Sequence, residues 1–332
     1  MSSRPRDDPR ERNPFICTFC WKEFPAEGHL KMHVSYRCTK ATEAVQQMKA
    51  DQKEKAKDQK NIDKKLEKPI ESESDSPKSH VEILKQQIIE GQETYNKQPV
   101  SILLSSLTAG LEIGFSYLLL CTLYGFLFGK VEEETIFKLM SFVYPIGFIM
   151  VILGQSILFT EQTSLLTLPV LNNKRTVGSL LKLWSLVIVG NLVGGCLMAF
   201  VLVWIGPKLG IFNLQSIEAI AVHVSQYPIG VILASSILAG WLMGLLSWLV
   251  AASKDTLSRI VIIFMITAVL AFAGLHHSIV GNVEVFSGLI SSPKITWGAY
   301  GAFQSVSLIG NALGGAVFVA LLKYRAFVYD VK

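Results

Sequence analysis

Two stretches of this chain are apolar enough to enter a bilayer, too long for one straight crossing, and polar in the middle. The first break reads Leu158-Phe159-Thr160-Glu161-Gln162-Thr163, and the second His276-His277-Ser278-Ile279-Val280-Gly281-Asn282. About thirty residues after each comes a Gly-Asn-x-x-Gly-Gly helix, Gly190 to Gly195 and Gly310 to Gly315. Irregular backbone survives at membrane depth only where it is buried in protein or lines a cavity. Interrupted segments at corresponding places in two halves mark a solute pathway near the bilayer midplane. The pairing implies a membrane protein through which a small solute passes.

Hydropathy places spans near residues 101–128, 139–171, 178–205, 228–252, 258–290 and 298–322, given that a crossing takes about twenty apolar residues. The fold class expected is an all-α membrane protein. Three spans per half is an odd number, so the second half must insert upside down. The result is a 3+3 inverted repeat whose second and fifth helices are broken. Basic residues favour one side of the membrane: Lys174, Arg175, Lys182, Lys254, Arg259, Lys323, Arg325 and Lys332 against Lys130, Lys138, Lys208 and Lys294. Both termini are therefore expected in the cytoplasm, in a multi-pass protein of the cell (inner) membrane. Gly190, Gly194, Gly310 and Gly314 put small residues four apart, which allows close helix approach. Asn191 and Asn311 need hydrogen-bond partners in lipid, and the broken backbone nearby supplies them.

The rest of the chain is different. Residues 1–97 hold 19 Lys/Arg and 17 Asp/Glu, whereas residues 98–332 hold 12 and 9. The net charge of +5 is spread over both parts and is no argument for nucleic acid. No apolar segment opens the chain, so no cleavable signal peptide is expected. Cys17, Cys20, His33 and Cys38 have the spacing of a tetrahedral zinc site, two thiolates on a hairpin and two ligands on or after the following helix. His29 is a competing ligand by helical phase, and Phe24 and Leu30 supply a miniature core. The segment resembles the Cys-Cys-His-His zinc finger family, with Cys38 in place of the last histidine, and implies a small ββα unit. The positions that read bases in that family fall on Ala26, His29 and Met32. Two of these are apolar, so a structural role or a soluble protein partner is favoured over nucleic acid. The domain boundaries expected are a zinc-finger-like module at 13–40, a charged linker at 41–79, an amphipathic pre-channel helix at 80–97 and a membrane domain at 98–327. The apolar stripe of that helix is Val81, Ile83, Leu84, Ile88 and Ile89; it suits a helix at the membrane surface or packed under the channel, and equally a marginal helix in a linker.

From about residue 98 to 325 the chain resembles the formate/nitrite transporter family. The residues that carry the likeness are Ala109-Gly110, Ile113-Gly114, Leu158-Phe159-Thr160, Gly190-Asn191, Trp241-Leu242, Trp248-Leu249, His277-Ser278-Ile279 and Gly310-Asn311. The resemblance implies an aquaporin-like fold, a homopentamer with one pore per protomer, and passage of small monovalent anions such as formate, nitrite or hydrosulfide. It places the central histidine at His277, the loop threonine at Thr160 and the constriction at Leu158 and Phe159. His277 would add positive charge or a proton to a weak-acid anion. Members of the formate and nitrite type usually carry a carboxylate before that histidine and an asparagine before the fourth-helix tryptophan. Here those positions are His276 and Gly240, and acids stand at Glu161 and Glu284 instead, the pattern of a less characterised branch. Glu161, Asn282 and Glu284 join the candidate pore residues. Zinc is the one cofactor expected, in the N-terminal module. No nucleophile–base set or cofactor motif speaks for an enzyme. The competing readings are a neutral small-solute channel and a membrane-anchored zinc-finger adaptor.

Overall fold

The computed structural model describes residues 15–41, part of 43–57, and 78–328. They fall into two units, one on each side of residues 58–77. The charged linker expected at 41–79 lies mostly outside the described residues.

In the first unit a tight hairpin precedes α1 (Glu27–Tyr36). Cys17 N–H donates to Lys22 O at 2.9 Å, and Phe24 N–H donates to Phe15 O at 3.0 Å. Trp21 closes the turn with a left-handed φ of 63°. Among the described residues the only ladder is an isolated antiparallel bridge between Ile16 and Glu23. Where the expected ββα unit has two strands, the described hairpin thus holds one bridge pair, because its tight turn takes up the residues between the first two cysteines. Phe24 and Leu30 pack, half-buried, around Cys17, Cys38 and Ala41.

The second unit is helical throughout its described residues. It opens with α2 (His80–Asn96), started by a reciprocal Ser79–Glu82 capping box. Such a box satisfies two of the N–H groups that a helix start leaves open. Of the expected stripe, Ile83, Leu84 and Ile88 are buried, Val81 is half-buried and Ile89 is exposed. The helix is held by polar contacts as well. Lys78 Nζ donates to Ala251 O at 2.7 Å, Ser247 Oγ and Gln87 bond each other at 3.1 Å, and Tyr95 OH donates to Leu166 O at 3.0 Å. Burial holds the Lys78 amine below the usual lysine value, with Arg259 adding to the effect. So α2 packs against the membrane helices and is no marginal linker helix.

Among the described residues, five helices are long and apolar enough to cross a membrane: Pro99–Leu127, Glu133–Leu153, Val177–Leu209, Ile229–Ala252 and Trp297–Phe327. Here α3 is Pro99–Leu127. The second crossing contains α4 (Glu133–Leu139), a 3-10 turn and α5 (Pro145–Leu153), and is followed by α6 (Phe159–Leu171). Then come α7 (Val177–Leu209), α8 (Leu214–Ser225) and α9 (Ile229–Ala252). The expected fifth span is two shorter apolar helices, α10 (Thr256–Phe272) and α11 (Ser278–Ser291). Last are α12 (Trp297–Leu313), which runs on as a π-helix through Leu321, and α13 (Leu322–Phe327). Sequence reading did not anticipate α8. It packs on α11 as α2 packs on α6: Gly288 lies against Ala221, and Gly91 against Leu165 and Pro169.

Both breaks are built by the same turn. Ser156 N–H donates to Val151 O and Leu275 N–H to Leu270 O, each at 3.0 Å. The residue before each donor is left-handed, Gln155 at φ 57° and Gly274 at φ 65°. This is the six-to-one bond of a Schellman helix end, whose left-handed position favours glycine. The two long helix pairs, α3 with α7 and α9 with α12, also match. A Cβ on Gly190 would lie 3.0 Å from Leu103 O, and one on Gly310 would lie 3.0 Å from Leu233 O. In lipid, close packing of this kind drives helix association.

Candidate functional site

Each break is tied to the scaffold by one buried asparagine. Asn191 Oδ1 accepts from Phe159 N–H at 2.8 Å, while its Nδ2 donates to Ser106 O at 2.7 Å and Ile157 O at 2.9 Å. Asn311 Oδ1 accepts from Ser278 N–H at 2.8 Å, while its Nδ2 donates to Ser236 O at 2.7 Å and His276 O at 3.1 Å. A neighbouring serine completes the set: Ile157 N–H donates to Ser105 Oγ at 3.1 Å, and His276 N–H to Ser235 Oγ at 3.0 Å. Unpaired backbone in an apolar medium costs several kcal/mol, and these bonds remove that cost at both breaks.

The breaks meet at Thr160 and His277. Thr160 Oγ1 lies 2.8 Å from His277 Nε2, and both residues are buried. His277 is also the N-cap of α11: its Nδ1 accepts from Ile279 N–H at 3.3 Å and Val280 N–H at 3.2 Å. A backbone amide only donates, so Nδ1 carries no proton in this arrangement. The proton sits on Nε2 and is donated to Thr160, a tautomer assigned from the network. Phe148 meets the imidazole edge-on at 5.1 Å. On the other side, Leu158 occupies the corresponding position before α6 and offers no side-chain cap. Leu158 and Phe159 are fully buried, and Phe159 packs edge-on against Trp184 at 5.8 Å.

A cavity of about 920 Å³ reaches His277. The buried residues His277, Glu284, Tyr144 and His276 line it, and so do His223 and the exposed Glu133, Glu134 and Lys138. Glu284 is seven residues beyond His277, two helical turns, and so shares its face.

The structure separates the other candidates. His276 turns away from Thr160: its Nε2–H donates to Val224 O at 3.0 Å and its Nδ1 lies 2.8 Å from Ser235 Oγ. Asn282 joins helices. It accepts from Tyr300 OH at 2.6 Å and donates to Leu192 O at 3.1 Å. Glu161 follows Thr160 on α6 and is half-buried. Glu112 has a buried carboxylate oxygen without a partner. Its other oxygen lies 3.6 Å from where a Cβ on Gly154 would stand, beside the first break.

In the N-terminal unit the ligand atoms of Cys17, Cys20, His33 and Cys38 all lie within 4.8 Å of one another. The cysteines are free. Cys17 Sγ and Cys38 Sγ are 3.7 Å apart, and Cys20 Sγ is 3.1 Å from His33 Nε2. Tetrahedral zinc with Zn–S bonds of about 2.3 Å requires a sulfur–sulfur edge of about 3.8 Å, so the donor set and spacing fit that ion. His29 stands outside the group and is exposed. Burial opposes ionisation of Cys17, yet backbone hydrogen bonds from Cys20 and Phe19 bring its thiol below the usual value.

A pair of broken crossings, each pinned by an asparagine and joined by a threonine–histidine contact, is a pathway architecture, and comparison with known proteins agrees. The model of the family described as formate/nitrite transporter matches residues 81–325. The chain belongs to the formate/nitrite transporter family. It is a multi-pass integral membrane protein of a family of transporters and channels, not of enzymes. The match begins inside α2, so that helix is part of the family's unit. The chain is 29% identical over 282 residues to the inner membrane protein YfdC of Escherichia coli, covering 81% of this chain and 86% of that protein. It is 28% identical over 229 residues to the nitrite transporter NirC of Salmonella typhimurium, covering 67% and 82%. A solved ion channel of the same family superposes with a TM-score of 0.68 at 22% identity, over 74% of this chain and 98% of that one. A solved pentameric formate channel with formate bound gives 0.58 at 17% identity, over 69% and 98%.

Sequence reading missed Phe148, Tyr144 and the serines at 105–106 and 235–236. The serines carried a signal. Ile102-Leu-Leu-Ser-Ser-Leu-Thr-Ala-Gly110 and Ile232-Leu-Ala-Ser-Ser-Ile-Leu-Ala-Gly240 are one motif written twice. Phe148 and Tyr144 sit in an ordinary apolar run and had no such mark.

Proposed function

We propose that this chain is a channel for small monovalent weak-acid anions, formate or nitrite among them. It works as a homopentamer with one pore in each protomer. The observation that carries the reading is the 2.8 Å contact between Thr160 and His277, which brings the two breaks together at the end of the cavity. Nε2–H and the threonine hydroxyl are the polar groups a passing anion would meet between Phe148, Leu158 and Phe159. The uncapped start of α6 adds partial positive charge. The relatives whose printed names include nitrite transporter and formate channel support the substrate class, and the pentameric neighbour supports the assembly. The matching asparagine networks support two inverted three-span repeats, an aquaporin-like plan. With α2 and α8 as equivalent outer helices, each repeat gains a fourth element. The basic-residue bias supports cytoplasmic termini.

Formate and nitrite influx into proteoliposomes tests the reading. His277→Ala removes a donor aimed at an anion, a loss of about 1.5–3 kcal/mol, or about tenfold to 100-fold in rate. Influx of an uncharged solute that is indifferent to His277, with no anion influx in the wild type, would move the chain to the neutral channels.

The N-terminal unit is proposed as a zinc module held by Cys17, Cys20, His33 and Cys38. A unit this small lacks a core large enough to fold unaided, and metal binding supplies the missing free energy. The purified chain is expected to carry about one zinc per protomer, and Cys17→Ser with Cys38→Ser to carry none. Metal analysis that finds the wild type zinc-free after purification without chelator would end the proposal.

A further inference from the structure

We propose that Glu284 carries the proton that accompanies the transported anion. Its carboxyl gives that proton to the anion inside the cavity, and the neutral acid then passes His277. The inference rests on the transport reading above and deepens it.

Three observations support it. Glu284 is only 7% exposed, and what remains of it faces the cavity that ends at His277. Among the described residues no hydrogen bond or ion pair engages its carboxylate, so it is not spent on holding the fold. Third, His277 is already committed at both nitrogens. Its Nδ1 accepts two backbone N–H groups and its Nε2 is bonded to Thr160. A second proton on Nδ1 would break the cap of α11. The histidine is thus suited to donate a hydrogen bond, and the proton has to come from another group.

The ionisable groups around Glu284 do not offer a substitute. From α3, Tyr117 and Cys121 lie within its electrostatic range, as does Tyr144 from the head of α5. Phenols and thiols hold their protons too tightly for this exchange near neutral pH. On α8, Glu218 is bound by Lys294 at 2.7 Å and by Ser292, and His223 stacks on Phe137 at 3.6 Å. On α4, Glu133 accepts from Tyr124 OH at 2.6 Å, Lys138 donates to Phe272 O at 3.0 Å, and Glu134 lines the cavity but is exposed, away from the buried His277. From α7 and α12, Cys196 and Tyr300 are engaged by Asn282. His276 is held by Val224 and Ser235.

A carboxyl group in the path of an anion permits passage only while it holds a proton, because two adjacent anions repel. In the proposed step the carboxyl O–H bond breaks and a new O–H bond forms on the anion. This leaves Glu284 as carboxylate and the solute as neutral acid. Cavity water from the acidic side then returns a proton to Glu284. One proton crosses with each anion, and the acid releases it to water on the far side.

The test uses the full chain in proteoliposomes, with formate and nitrite uptake and internal pH followed together on both sides of neutrality. The wild type is expected to move one proton per anion, faster at acid pH. Glu284→Gln is expected to lose about 100-fold at acid pH and to become insensitive to pH. Glu284→Asp, which keeps an acid one methylene shorter, should keep the pH slope at a reduced rate. Wild-type rate, slope and proton ratio in Glu284→Gln would overturn the inference while leaving the transport reading intact. A wild type that moves neither anion would overturn both. Should Glu284→Gln fail to assemble, Glu284→Asp decides: a reduced rate with the slope kept supports the inference, and a wild-type rate overturns it.

Discussion

Asn311→Ala is expected to yield little assembled protein and no measurable flux. The carboxamide holds the second break from both sides: Ser278 N–H at the start of α11 and His276 O at the end of the turn. Alanine leaves both without partners. Ser236 O, the third contact, lies inside α9 and loses less. An orphaned buried group costs about 1–3 kcal/mol, so the two together cost about 2–6 kcal/mol, a large part of an ordinary protein's stability. The same reasoning applies to Asn191, which holds Phe159 N–H and Ile157 O. The two alanine variants should therefore be similarly damaged. The measurement is thermal stability in detergent together with oligomer yield. An Asn311→Ala chain that melts within about 2 °C of the wild type would show that the break holds without its asparagine. The Thr160–His277 contact would then need a different explanation.

The second large effect is at Gly194. A Cβ there would collide with Leu107 O and stand 3.1 Å from Gly110 Cα. Both obstacles are backbone, so relief requires α3 and α7 to move apart. That shift would loosen the asparagine network three residues along α7 at Asn191. Overpacking usually costs about 1–3 kcal/mol, and a clash with rigid backbone belongs at the upper end or beyond. Gly301→Ala, on α12, is the informative contrast, because nothing lies within 4 Å of where its Cβ would stand. Gly194→Ala should lose most of its oligomer on heating, while Gly301→Ala should stay within about 1 kcal/mol of the wild type. Equal stability of the two variants would mean that close backbone approach at Gly194 does not set the spacing of these helices.

Much of the membrane unit was legible from the chain alone. The breaks at 158–163 and 276–282 stood out because polar residues interrupt apolar runs that no single helix needs. The structure puts helix ends there, at Gly154–Leu158 and Ala273–His277. The extent of α8 was not legible, since its apolar face is short and sits in what read as a loop. In the N-terminal hairpin one bridge pair stands among the described residues where two strands were expected, because cysteine spacing reports the ligands and says little about the ladder between them.

Composition, hydropathy and spacing by themselves determined that this chain crosses a membrane, where its crossings break, and which four side chains could share a metal. Those properties depend on near neighbours along the chain, and the bilayer enforces them on any fold. Only the tertiary structure decided which break residues act together. Thr160 and His277 are 117 positions apart, and adjacent His276 and His277 serve different partners because consecutive residues point in different directions. It also decided that Glu284 faces a cavity without a partner while Asn282, two residues earlier, is bonded between helices. Local sequence sets which groups are present; the packing of distant helices sets which of them are left free to meet a solute.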